Sequence, residues 1–396
     1  MSKNKLIPEL RFPEFANEGE WNDTKLDKCL DYLQPTKYLV QSTNYSEVYK
    51  TPVLTAGKTF ILGYTNEKNG IFEKKLPVII FDDFTTASKY VDFPFKAKSS
   101  AMKILLAKKD FNIKFLYESI QIINYEPGVH KRHWISVFSN LKLPVPKPLE
   151  QEEIASCLSS LDEVIAAHNQ KLDAIKNHKK GLMQNLFPQE GDKVPNYRFP
   201  EFVKDGNWVE KELNELGNLI NGLTYSPNDV REKGLLVLRS SNVQNGQIDL
   251  NDCVFVDPEI KGANLTKPDD ILVCVRNGSK ALIGKNAIIP IEIPFSTHGA
   301  FMTVFRAKYP KFVFQLFQTS AYDKQVKADL GATINSINGK NFLKYKFFEP
   351  KPKEQQKIAS CLSSLDSLIS AQGEKIEQLK LHKKGLMQGL FPKIEN

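Results

Sequence analysis

Across residues 150–188 apolar side chains recur in steps of four and three, at Ile154, Leu158, Leu161, Ile165, Leu172, Ile175, Leu182 and Leu186, with His168 and Lys179 as polar breaks. A 4,3 alternation draws one narrow apolar stripe along a helix, so it predicts a long helix that buries its seam against a single partner. The same register returns at Ile358, Leu362, Leu365, Ile369, Ile376, Leu379, Leu386 and Leu390, broken at Gln372 and Lys383. Either helix is about 50 Å long if continuous. Pro146 and Pro148 precede the first and Pro350 and Pro352 the second, restricting the backbone where each begins, while Gly181 and Gly385 are candidate ends or bends. Elsewhere the pattern shortens. Apolar, β-rich runs at 77–81, 235–238, 271–275, 287–289 and 301–305 alternate with turn clusters such as 242–246, and helical stretches are predicted near 111–123 and 312–329.

The two helices are copies. EQEEIASCLSSLD and HKKGLMQNLFP in the first answer EQQKIASCLSSLD and HKKGLMQGLFP in the second. A second echo precedes each globular segment: Arg11-Phe12-Pro13-Glu14-Phe15 with Trp21 returns as Arg198-Phe199-Pro200-Glu201-Phe202 with Trp208. Arg11 to Arg198 is a step of 187 residues and Ile154 to Ile358 a step of 204, so the second globular segment is 17 residues longer. Near-identical helices therefore carry two unlike heads. Two units are too few for a solenoid. They predict an α+β chain in which two mixed α/β heads are separated by long helices that pack as an antiparallel coiled coil about a pseudo-twofold axis. The expected boundaries are 1–149 and 189–349 for the heads, and 150–188 and 350–396 for the helices.

Composition adds limits. With 396 residues, 41% of them hydrophobic, the chain is long enough for more than one core. Neither a signal peptide nor an apolar run of membrane-spanning length is visible, which makes a cytoplasmic location the expectation. The five cysteines are scattered without metal-ligand spacing, so disulfides and structural zinc are not expected, and Cys157 and Cys361 read as packing groups. The net charge is +8, with +6 of it in residues 1–149. That bias suits a polyanionic partner, yet scattered surface lysines produce the same number.

Enzyme motifs largely fail. Gly57-Lys58-Thr59 resembles the end of a phosphate-binding loop, but Pro52 stands where its first glycine belongs, and Gly284-Lys285-Asn286 fails similarly. Asp82-Asp83 at a strand end could hold a metal, and Glu259 with Lys261 has the spacing of half a nuclease motif. Neither has its other half in strand context, so both read as turn and strand-end groups.

The leading RFPEF and tryptophan, the P-x-P and EQ-x-x-IA, and the closing LD and HKKGLMQ-x-LFP together resemble the specificity subunit of type I restriction-modification systems, over nearly the whole chain. Residues 53–57, 81–86, 237–242, 270–273 and 275–279 resemble family text within the heads. The resemblance implies a protein without catalysis of its own. Each head would be a target recognition domain reading one half of a bipartite, asymmetric site in double-stranded DNA, and the helices would set the spacing between halves. A helix of about 50 Å covers roughly one and a half turns of duplex. The resemblance further implies two modification subunits that carry S-adenosylmethionine and methylate adenine, and two restriction subunits that use ATP and Mg. No cofactor or metal is implied for this chain itself.

Turn-bounded segments with base- and phosphate-binding side chains nominate the reading residues. They are Lys58, Thr85, Thr86, Lys89, Tyr90, Lys98, Ser99, His130, Lys131 and Arg132 in the first head, and Arg239, Ser241, Asn242, Arg276, Asn277, Ser279 and Lys280 in the second. Two other classes remain compatible with the residues alone: a coiled-coil adaptor with unrelated heads, and a nuclease or modifying enzyme that binds metal through Asp82, Asp83 or Glu259.

Overall fold

The computed structural model describes residues 5–57, 59–123, 125, 134, 137–330 and 335–393. Its contacts divide the chain into two compact units, Met1–Gln170 with Glu374–Asn396, and Lys171–Gly373. Each unit therefore holds one head together with a part of both long helices.

In the first unit, β1 (Asn22–Lys25) pairs antiparallel with β9 (Lys142–Val145), tying the leading segment to the strand just before the first long helix. The main sheet has the order β2-β8-β5-β6, all antiparallel, from β2 (Leu30–Leu33), β5 (Val78–Asp82), β6 (Ser88–Val91) and β8 (Met102–Ala107). A smaller sheet joins β3 (Thr51–Leu54) to β4 (Ile61–Thr65) antiparallel and to β7 (Lys96–Ala97) parallel. Every residue of β5 is buried. Its alternation distributes Ile79 and Phe81 to a core with Trp21 and Phe115, and Val78 and Ile80 to a core with Leu54 and Phe72. An unbroken apolar run is what a strand covered on both faces requires.

The second unit repeats this plan. Here β10 (Val209–Glu212) pairs with β21 (Lys346–Glu349). The main sheet has the order β11-β20-β17-β18, from β11 (Gly217–Asn221), β17 (Ile271–Cys274), β18 (Asn286–Ile288) and β20 (Met302–Ala307). A second sheet, β12-β16-β13-β19, contains β12 (Val230–Arg231), β13 (Leu235–Leu238), β16 (Phe255–Val256) and β19 (Ser296–His298), with β13 and β19 parallel. The hairpin β14 (Val243–Gln244) and β15 (Gln247–Ile248) lies between these elements in the chain. Ile271 and Val273 face the core that holds Trp208 and Phe312, whereas Leu272 and Cys274 face the other.

The helix expected near 111–123 is Ile113–Gln121, begun by Asn112, whose Oδ1 accepts from the amides of Lys114 and Phe115. The single helix expected over 312–329 is instead two, Pro310–Leu316 and Ser320–Asp329. Thr319 starts the second by accepting from the Tyr322 amide, and Phe317 in the break is buried against the Tyr322 ring.

The long helices run Pro148–Leu186 and Pro352–Leu390, 39 residues each. Gly181 and Gly385 neither end nor interrupt them. A helical glycine costs only about 1 kcal/mol, and the turns beyond them are held by Leu186 in one core and by Met387 and Leu390 in the other. Both helices stop just before Phe-Pro, where the backbone of a residue preceding proline is driven out of helix.

Within each unit the two helices run antiparallel. In the first, Asp162 near the start of one meets Lys383 near the end of the other, and in the second Asp366 meets Lys179 in the same way. The seam does more than join helices. Ile154 and Leu158 are buried in the first head's core with Trp21, Phe115 and Phe391, and Ile358 and Leu362 in the second's with Trp208 and Phe312. Ile376 is buried, while Leu161, Ile165, Leu172, Ile175, Leu365, Ile369 and Leu379 are half-buried. Among the described residues no helix is long and apolar enough to cross a membrane.

Candidate nucleic-acid interface and the helix clamps

The repeated sequence builds the same clamp twice. Arg11 donates from Nε and Nη2 to the two carboxylate oxygens of Glu150 at 2.7 and 2.8 Å, and Arg198 does the same to Glu354 at 2.8 and 2.7 Å. Both glutamates are 1% exposed, so each needs a partner in place. The paired, charge-assisted geometry supplies it. Hydrogen bonds to these carboxylates push the pKa values of both arginines up. The next residue acts alike in both copies: Gln151 Nε2 donates to the Pro146 carbonyl at 2.9 Å and Gln355 Nε2 to that of Pro350 at 2.8 Å. The leading motif thus fastens each head to the start of its own helix. One difference remains, since the Trp21 indole also donates to Glu150, at 3.3 Å, whereas that of Trp208 is buried without an acceptor among the described residues.

At the closing end, Lys383 reaches Asp162 at 2.7 Å and Glu118 at 2.9 Å, and Lys114 bonds the same two carboxylates at 2.6 and 2.8 Å. Burial opposes ionisation of Asp162, but hydrogen bonds from Lys114 and Lys383 outweigh it and hold its pKa below the ordinary value. The second unit is simpler: Asp366 receives Lys179 at 2.5 Å and the amide of Gln315 at 2.9 Å.

In the second head the nominated residues converge. Asn277 donates from Nδ2 to Ser240 Oγ at 3.1 Å, bringing the 276–280 segment against the 239–242 turn, and Asn335 Nδ2 donates to the Gly278 carbonyl at 3.0 Å. Ser241, Arg276, Ser279 and Lys280 are exposed along this rim. Asn242 is not. Its side chain is fully buried, accepting from the Arg239 amide and donating to the Asp249 and Asp252 carbonyls, so it faces inward and shapes the turn. Arg239 is half-buried and paired with Asp252 at 2.7 Å.

The first head assembles fewer of its candidates. Thr85 Oγ1 donates to Asp82 Oδ2 at 2.7 Å, and Thr86 adopts φ 61°, so both belong to a tight turn after β5. The Asp83 amide donates to the Ala101 carbonyl, which places this turn beside the segment carrying Lys98 and Ser99. Lys98 lies over the Tyr45 ring, 5.8 Å from its centroid. Lys89 is exposed on β6, but Tyr90 belongs elsewhere, with Lys114 over its ring at 5.0 Å and Tyr117 beside it. Lys58, His130, Lys131 and Arg132 lie outside the described residues.

Asp82 and Asp83 have other partners than a metal. Asp82 caps its turn through Thr85 and the Phe84 amide, while Asp83 lies 3.2 Å from Lys103 and accepts from the Trp134 amide at 2.9 Å. Both members of the Asp83–Lys103 pair are buried. A lone lysine in the apolar run MKILLA is the sequence signal that points to it. The clamps also had a signal, because Arg11 and Glu150 recur together as Arg198 and Glu354. Among the described residues no cluster of His, Cys, Asp or Glu is arranged to hold a metal ion.

Comparison with known proteins identifies the plan. A family model described as the type I restriction modification DNA specificity domain matches residues 18–177 and again 205–381, once for each unit of the repeat. The chain is 31% identical over 370 residues to the Type I restriction enzyme EcoR124I/EcoR124II specificity subunit of Escherichia coli, covering 89% of this chain and 88% of that one. It is 26% identical over 275 residues to the MjaVIII specificity subunit of Methanocaldococcus jannaschii, covering 67% of this chain and 64% of that one. In fold it is similar to the type I restriction-modification S subunit from M. genitalium, with a TM-score of 0.66 at 17% identity over 98% of this chain and all of the other. Doubled clamps, unlike heads and a doubled family match lead to one conclusion: this chain belongs to the type I restriction-modification DNA specificity family.

Proposed function

We propose that each head reads one half of a bipartite, asymmetric DNA target, that the long helices set the separation of the halves and dock two modification subunits, and that the chain performs no catalysis itself. The observation that carries this reading is the clamp built twice from identical residues around heads that differ. Helices that meet the same partner twice are constrained alike, whereas heads are free to diverge with the bases they read. S-adenosylmethionine would then belong to the modification subunits, and ATP and Mg to the restriction subunits that join them. Affinity would come from Lys and Arg contacts to phosphate and would fall with salt, and discrimination from a few base contacts worth about 1–3 kcal/mol each.

The test is co-expression with a type I modification subunit followed by genome-wide mapping of methylated adenine. One bipartite motif with a fixed gap is expected, and exchanging a single head should change only one half of it. An assembled, cofactor-binding complex that methylates nothing, or methylates without sequence preference, overturns the proposal and leaves an adaptor built on the helices as the better account.

A further inference from the structure

Arg276 follows the end of β17, and its backbone departs from the regular ladder. The amides of Val275 and Arg276 both donate to the Phe301 carbonyl, at 3.0 and 3.1 Å. Two successive amides on one carbonyl are the hydrogen-bond pattern of a β-bulge, which bends a strand end and re-aims its side chains. The Arg276 guanidinium lies over the Phe301 ring, with Cζ 5.7 Å from the centroid. Phe301 is 57% exposed, although Met302, Val304 and Phe305 just after it are buried core. The ring is therefore at the surface with a cation over it.

The other described arginines are occupied. Arg11, Arg198, Arg239 and Arg306 are paired with Glu150, Glu354, Asp252 and Asp270, and Arg231 donates to backbone carbonyls. Among the described residues Arg276 meets no carboxylate and no hydrogen-bond acceptor. A guanidinium held over an aromatic face without a carboxylate partner keeps its fork of donors free. Two parallel donors in one plane match the O6 and N7 acceptors that guanine presents in the major groove.

We propose that Arg276 reads a guanine in the half-site of the second head, and that Phe301 is the positioning residue that aims it. This rests on the reading that the heads recognise DNA half-sites. A phosphate contact needs a charge but little orientation, whereas a bidentate base contact needs a side chain that is directed, as the bulge and the ring contact direct Arg276.

The experiment measures binding of the full chain, assembled with modification subunits, to a library of synthetic duplexes substituted at each target position and at several salt concentrations. Arg276→Ala should lower discrimination at one G·C position of the second half-site by about 10- to 100-fold. Phe301→Ala should lower it at that same position by about 3-fold or more, and Phe301→Tyr should restore it. The salt dependence and the first half-site should stay as in the wild type. The proposal is overturned if Phe301→Ala keeps wild-type preference at every position, or if the affected pair is A·T. It is equally overturned if Arg276→Ala weakens all duplexes alike with a shallower salt slope, which marks a phosphate contact. A wild-type complex without sequence preference overturns the underlying half-site reading as well, so the two failures are distinguishable.

Discussion

Replacing Arg11 with methionine isolates what the clamp contributes. Glu150 is 1% exposed and accepts two bonds from Arg11 and one, at 3.3 Å, from the Trp21 indole. Arg11→Met removes both short, charge-assisted bonds and leaves a buried carboxylate with a single neutral donor. Breaking a buried pair from one side costs about 3–5 kcal/mol. Arg11→Met with Glu150→Gln removes the stranded charge, so the double variant should recover about 2 kcal/mol relative to the sum of the single ones. Equilibrium unfolding in urea, followed by peptide-resolved hydrogen exchange, separates the unit of Met1–Gln170 from that of Lys171–Gly373 and avoids assuming one transition for the whole chain. The loss should appear in the first unit. Arg198→Met with Glu354→Gln should behave alike in the second, where Trp208 gives no third bond. A coupling below about 0.5 kcal/mol, the size of an exposed ion pair, would refute the reasoning, because Glu150 would then be solvated when Arg11 is absent.

Asp83→Ala should destabilise the first unit by about 3–5 kcal/mol by stranding the fully buried Lys103, while Asp83→Leu with Lys103→Met should lie within about 1–2 kcal/mol of the parent; thermal unfolding of the two variants beside the parent decides it, and equal losses would mean that the pair is not the cause. Burial holds the pKa of His298 below 6.5, its ring fully buried with Nε2 against the Ile220 carbonyl. Its unfolded form binds a proton first, so its contribution is complete above 6.5 and is lost as pH falls from there through the depressed folded value. His298→Gln should flatten the pH dependence of second-unit stability in that window, and an unchanged slope would remove His298 as its source. Asp162, with its pKa held down, stabilises fully above its ordinary 3.8 and loses that contribution as pH falls below it through the folded value. The stability difference between Lys383→Met and the parent, read by urea midpoint, should therefore shrink in acid, and a difference that grows there would contradict the assignment.

The sequence by itself determined the plan, because repetition and periodicity are local properties of a chain. The 4,3 seam, the two copies of the long helix and the paired RFPEF motifs state how many units there are and which element types they contain, and the strand at 271–275 was legible from an apolar run alone. What the sequence left open depends on partners far away in the chain. Glu150 is an ordinary helix-start residue until Arg11, 139 positions earlier, is folded onto it. Asn242 has the chemistry of a base reader, and only the closing of its turn over the Asp249 and Asp252 carbonyls shows that it faces inward. Gly181 and Gly385 carry a local propensity to end a helix, and the packing of the turns beyond them overrides it. Asp82-Asp83 reads as a strand-end and turn pair, but only the tertiary structure brings Lys103 across the sheet to one carboxylate and Thr85 back to the other. Phe301 reads as the first apolar residue of a strand, and its exposure under Arg276 follows from a bulge that no periodicity announces. Pattern fixes which faces are apolar, but which charge meets which is decided where elements pack, since a buried charge is tolerated only where its partner arrives.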